Sequence, residues 1–169
     1  MNPTFSADGD YVAFQWDKPE IERSDIYVKA VGEAHASQIT TDPAGSFSPA
    51  WSPDNRHIAF SRSGTGEQSG IYLISPLSRE EKKRSDFPSG GQISWTPDGK
   101  FVAVGRERIP DLKGGSPSGI FLVPVKGGKE VQITFPLPPT PDDTPSVSPD
   151  GTLLLSDSRL TALFPFPRQ

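Results

Sequence analysis

The chain has 169 residues, a formal net charge of -4 and no cysteine. The length favours one domain, the acidic balance argues against a nucleic-acid partner, and the missing thiols exclude disulfides, thiolate nucleophiles and sulfur-based zinc sites. No apolar stretch approaches the roughly 20 residues that cross a bilayer. Residues 1–5 have neither a basic leader nor an apolar signal core, so a soluble chain without membrane insertion is expected, with its compartment unread.

The first elements set a pattern. Pro3, Thr4 and Phe5 predict a short strand whose leading proline suits a strand start, Asp8 and Gly9 a tight turn, and Tyr11, Val12, Ala13 and Phe14 a second strand. A third strand follows at Ile26, Tyr27 and Val28, and a more polar fourth at residues 37–40. The order then recurs. Trp51 precedes Asp54 and Asn55, with strands at 57–60 and 71–74 and the charged run 79–87 in the fourth place. That run mixes signs and is expected to be a solvated outer edge. Trp95 precedes Asp98 and Gly99, with strands at 101–104, 120–123 and 131–134. Val147 precedes Asp150 and Gly151, with a strand at 153–155 and an apolar tail at 160–166.

Asp8, Asp54, Asp98 and Asp150 lie at intervals of 46, 44 and 52 residues, the scale at which one repeat is one supersecondary unit. Each turn combines Asp, for a local side-chain bond, with Gly or Asn, for a left-handed backbone, and three add proline. Asp8, Gly9, Asp54, Asn55, Asp98, Gly99, Asp150 and Gly151 are therefore assigned to turn structure, ahead of a ring of calcium-binding carboxylates. The strands are apolar at nearly every position, so both faces of each sheet are covered. No amphipathic helix separates them, so the cover is other sheets. Small antiparallel sheets stacked around an axis make an all-β propeller. The expected boundaries are four-stranded blades at 1–43, 46–88 and 91–136 and a partial fourth at 144–169, a single partial propeller of about three and a half blades. Trp51 and Trp95 hold one position in successive inner strands and are expected between blades.

The order Pro-x-Trp-Ser-Pro-Asp-Gly, Ile-Ala-Phe, Gly-Ile-Tyr and Gln-Ile-Thr resembles the TolB-type, WD-repeat-like propeller repeat, which also occurs in the propellers of prolyl oligopeptidase-like peptidases. The resemblance covers almost the whole chain. Ala7 replaces the turn proline, Asn55 replaces the glycine, and the third repeat lacks the leading proline. The resemblance implies a docking platform, a sensor domain or a gate before a peptidase domain, and a periplasmic location if the chain is part of a longer TolB-like protein.

Catalytic chemistry finds no constellation. Residues 115–119 place Pro117 where a nucleophile elbow needs serine. His35 and His57 lack ligand spacing, and the glycines at 64 and 66 lack a third and a following helix. No catalytic residue, metal or cofactor is assigned. The repeats vary in the segments joining second to third strands, at 16–24, 62–69 and 106–118. Loops on a rigid scaffold carry binding specificity. The candidate binding face is therefore Asp17, Lys18, Glu20, Arg62, Glu67, Arg106, Glu107, Arg108 and Asp142, expected around the mouth of the channel. The reading is a non-enzymatic scaffold for a protein or small ligand, with a truncated peptidase- or lyase-type propeller as the alternative. Three and a half blades do not close a ring, so the expected partner is a second copy, with Leu163, Phe164 and Phe166 in a clasp, or the rest of a longer chain.

Overall fold

A computed structural model describes residues 3–18, 20, 23–106, 118–135, 144–156 and 160–162. The described residues are strands and turns, with short 3-10 geometry at Glu20 and Gly66–Gln68. The chain divides into two compact units, Met1–Pro88 and Ser89–Gln169.

The first unit holds two antiparallel four-stranded sheets. One runs in chain order through β1 (Thr4–Phe5), β2 (Tyr11–Lys18), β3 (Arg23–Ala30) and β4 (Ser37–Gln38). The other runs through β5 (Ser46–Trp51), β6 (Ile58–Arg62), β7 (Gly70–Ile74) and β8 (Glu81–Ser85). The charged run thus does form an outer strand, with Lys82 exposed and paired to Glu80 at 3.0 Å, and Lys83 paired to Asp86 at 2.8 Å. Strand alternation sends Ala13 and Ile26 of the first sheet toward Ile58, Phe60 and Ile74 of the second, and Ile39 and Trp51 complete that core. All five residues of β6 are buried, as the apolar run of Ile58, Ala59 and Phe60 that opens it requires when both faces are covered.

The second unit repeats the plan. A four-stranded sheet is built from β9 (Ile93–Trp95), β10 (Phe101–Arg106), β11 (Gly119–Pro124) and β12 (Val131–Gln132). A three-stranded sheet is built from β13 (Ser146–Val147), β14 (Leu153–Leu155) and β15 (Leu160–Ala162). Ala103, Ile120 and Leu122 pack against Leu154. The start of the apolar tail is therefore a strand pairing with β14. Leu163, Phe164 and Phe166 lie outside the described residues.

The four turns share one bonding pattern. In the first, the Ser6 hydroxyl donates to Asp8 at 2.6 Å and accepts from the Tyr11 amide at 2.9 Å, while Asp8 accepts from the Asp10 amide at 3.1 Å. Ser52 with Asp54, Thr96 with Asp98 and Ser148 with Asp150 repeat it at 2.6, 2.7 and 2.6 Å. Asn55 departs from glycine for a visible reason. At φ 60° its amide donates to Asp8 at 2.7 Å, and its carbonyl oxygen accepts from the Ala7 amide at 2.6 Å, tying one turn to the previous one. Gly99 has φ 67°, and no heavy atom lies within 4 Å of an added Cβ, so substitution there meets backbone strain alone. Gly99→Val is expected to destabilise by about 1 kcal/mol or more, and Gly99→Asn by much less, since asparagine tolerates this region. Thermal melts of the pair test this, and equal melting temperatures would contradict it.

These donors hold the turn carboxylates below their ordinary range. The Ser148 hydroxyl and the Thr152 amide and hydroxyl bring Asp150 to about 2, and the Ser6 hydroxyl and Asp10 amide lower Asp8. At Asp54 and Asp98 partial burial pulls upward, and the Ser52 and Thr96 hydroxyls with the amides that follow outweigh it. A depressed carboxyl stabilises the fold above its unfolded value, near 3.8, and that contribution is lost as pH falls through the folded value. Melting temperature is therefore expected to drop between pH 4 and 2, with Asp150→Asn flattening the lowest part of the curve. A parent profile that is flat below pH 4 would contradict this assignment.

Candidate functional site

At the hairpin end of the first sheet, strand pairing runs further than residues 16–24 suggest as a joining segment. Asp17 pairs with Ser24, and Lys18 with Arg23, so Asp17 and Lys18 are strand residues. Each finds its own side-chain partners on the hairpin. Asp17 is exposed and accepts from the Ser24 hydroxyl and the Gln15 amide, both at 2.7 Å, and these bonds lower its pKa. Fully buried Asp25 is bridged by Lys18 at 3.1 Å and Arg23 at 3.0 Å and accepts from Gln38 at 3.0 Å. The Tyr27 hydroxyl, followed by Asp25, raises the Lys18 pKa, so this ammonium stays charged inside its network.

Arg62 and Arg106 are not loop residues. Each ends the second strand of its sheet and is buried, at 3% and 6% exposure. Arg62 forks onto Glu81 at 2.9 and 3.0 Å, reaches Asp42 at 3.6 Å, and lies over the Tyr72 and Phe60 rings at 4.4 and 5.2 Å. Burial opposes its charge and the Glu81 pair outweighs that, so its pKa is raised. Arg106 pairs with Glu130 and lies over the Phe121 ring at 4.1 Å. These ion pairs leave the two guanidinium groups themselves little exposed surface to offer a ligand. Glu20 and Glu67 are exposed, and the Glu67 carbonyl accepts from Lys83 at 2.6 Å. Glu107, Arg108 and Asp142 lie outside the described residues.

The structure therefore joins Lys18 to an internal network and places Arg62 and Arg106 in ion pairs, while Asp17, Glu20 and Glu67 face solvent in the first unit. The partners Asp25, Gln38, Asp42, Glu81 and Glu130 were not singled out in the sequence. One signal pointed toward them: Arg62 and Arg106 each stand eight residues after a repeated Asp, a regularity that asks for a recurring acid. Among the described residues no group of three or more His, Cys, Asp or Glu is placed to hold a metal ion, and no helix is long and apolar enough to cross a membrane.

Comparison with known proteins agrees with this construction. The uncharacterized peptidase YuxL of Bacillus subtilis is 26% identical over 195 residues, covering 95% of this chain and 29% of that protein. The crystal structure of TolB from Acinetobacter baumannii shares the fold with a TM-score of 0.72 at 19% identity, over 96% of this chain and 39% of that one. An oligogalacturonate lyase from Vibrio parahaemolyticus does so with a TM-score of 0.65 at 13% identity, over 92% and 46%. The chain spans less than half the length of each, and its fold is that of a partial β-propeller. A family model described as the TolB beta propeller domain matches residues 1–165, and the chain belongs to that family.

Proposed function

We propose that the chain is a non-enzymatic propeller scaffold that binds a protein or small ligand through the loop ends of its sheets, within a ring completed by a second copy or by a longer chain. One observation carries this reading. The turns repeat the same hydrogen bonds four times, whereas the connections between second and third strands differ and present solvent-facing carboxylates, Glu20 and Glu67 on the connections and Asp17 beside one of them at the end of β2. Rigid, repeated scaffolding with variable loops is the arrangement that places specificity in the loops. Glu107, Arg108 and Asp142 belong to the same proposed face by sequence position.

Reversing Asp17, Glu20 and Glu67 to lysine is expected to reduce capture of partners from lysate at least several-fold, with strand circular dichroism unchanged. Undiminished capture by the reversed protein would move the site elsewhere. The peptidase relative favours a second reading, in which this propeller is one part of an enzyme. Sequencing the flanking DNA separates the two: an adjoining hydrolase domain supports the enzyme reading.

A further inference from the structure

Both sheet junctions inside the units obey one positional rule. The residue four places after the repeated Asp, Ile58 or Leu154, inserts into the preceding sheet, which receives it around the residue five places after its own Asp, Ala13 or Ala103. Ile58, Ala13, Leu154 and Ala103 are all fully buried. Applied to the first sheet, the rule gives an inserting face made of Val12, Phe14 and Trp16 on β2 with Tyr27 on β3. Applied to the last sheet, it gives a receiving face containing Leu153 and Leu155, which point away from buried Leu154.

Both faces are open. Trp16 is 47% exposed, Leu153 39% and Leu155 54%. The inserting face is already assembled, with Phe14, Trp16 and Tyr27 ring centroids 6.0 to 6.2 Å apart. Trp16 also stands where the second and third sheets carry their buried arginines. An indole needs no acid on the occupant, which suits it to leucine side chains.

We infer that a second copy of this chain seats its Leu153 and Leu155 face on the Val12, Phe14, Trp16 and Tyr27 face. This rests on the reading above that the chain works within a completed ring, and it names the surfaces of the junction. The two open faces are the two halves of a contact that the chain makes twice within itself. Two copies related by a two-fold axis supply one half to each of two identical junctions and leave neither face bare.

Light scattering and sedimentation of the chain at micromolar concentration test this. The expected mass is twice the 18.3 kDa of one chain. Trp16→Lys alone and Leu155→Glu alone should each weaken dimerisation tenfold or more, and mixing the two variants should restore a dimer, because one junction of the mixed pair is unaltered and the other joins opposite charges. Circular dichroism and melts of each variant show that its sheets remain folded. A monomeric parent, single variants that keep the parent's mass, or a polydisperse aggregate insensitive to both substitutions would overturn the inference. A monomeric parent whose capture of partners still depends on Asp17, Glu20 and Glu67 would leave the scaffold reading standing without it.

Discussion

Replacing Gly70 with alanine is expected to destabilise the first unit by about 3 kcal/mol or more, because two separate penalties meet at one residue. Its φ is 150°, which L side chains rarely adopt, and an added Cβ would lie 2.0 Å from the Ser85 carbonyl oxygen. The Lys83 side chain, at 2.8 Å, can swing aside. The Ser85 carbonyl is backbone, and it moves only if β8 shifts along β7, where the register already slips between Ile71 and Tyr72. Gly119 begins β11 as Gly70 begins β7, and it too has positive φ, at 132°. Gly32→Ala is the control. Gly32 has φ 88° with nothing within 4 Å of an added Cβ, so its cost is backbone strain alone, about 1 kcal/mol. Urea unfolding of both variants measures the difference, and equal losses would show that the close approach to Ser85 is absent.

Glu81→Leu is expected to cost about 3 kcal/mol, since it strips the forked partner from a guanidinium that is 3% exposed. Breaking a buried pair costs about 3 to 5 kcal/mol when the remaining charge stays buried. Asp42, 3.6 Å from Arg62, and the partial exposure of Glu81 hold the loss to the low end of that range. Combining Glu81→Leu with Arg62→Met should recover most of it, because methionine keeps an apolar stem over Tyr72 and leaves no buried charge. The double-mutant cycle is decisive here. A double variant as unstable as the sum of its singles would mean that Arg62 and Glu81 act independently.

Strands and turns were legible in the sequence because their causes are local. A hydroxyl residue, an Asp two places on and a Gly or Asn after it contain the side chains that the shared turn hydrogen bonds use, and the amides of the next two residues complete them, so four copies of the phrase give four copies of the turn. The apolar run of Ile58, Ala59 and Phe60 at the start of β6 likewise announces a strand covered on both faces. The candidate site was less legible because its electrostatics are settled across the sheet. Arg62 meets Glu81 from 19 residues away and Arg106 meets Glu130 from 24, so in sequence both look like free charges at a loop mouth. Residues 16–24 read as a joining segment because most of them are charged or polar, yet Lys18 and Arg23 close around Asp25 and carry the hairpin further. Asn55 looked like a lapse from glycine until its amide was seen bonded to the neighbouring turn.

The outer strands carry a consequence for behaviour in a crowded solution. An outermost strand offers unpaired amides and carbonyls that another chain can template on, the route to fibrils. Here β4 and β12 are two residues long, too short to guide such growth, and the longer β8 keeps the hydrated pairs Lys82–Glu80 and Lys83–Asp86 along its rim. A strand laid against β8 would strip water from those ions without replacing it. Lateral growth into amyloid-like ribbons is opposed at the rims formed by β4, β8 and β12, and the open apolar side chains Trp16, Leu153 and Leu155 lie on sheet faces, where association ends once each face is matched.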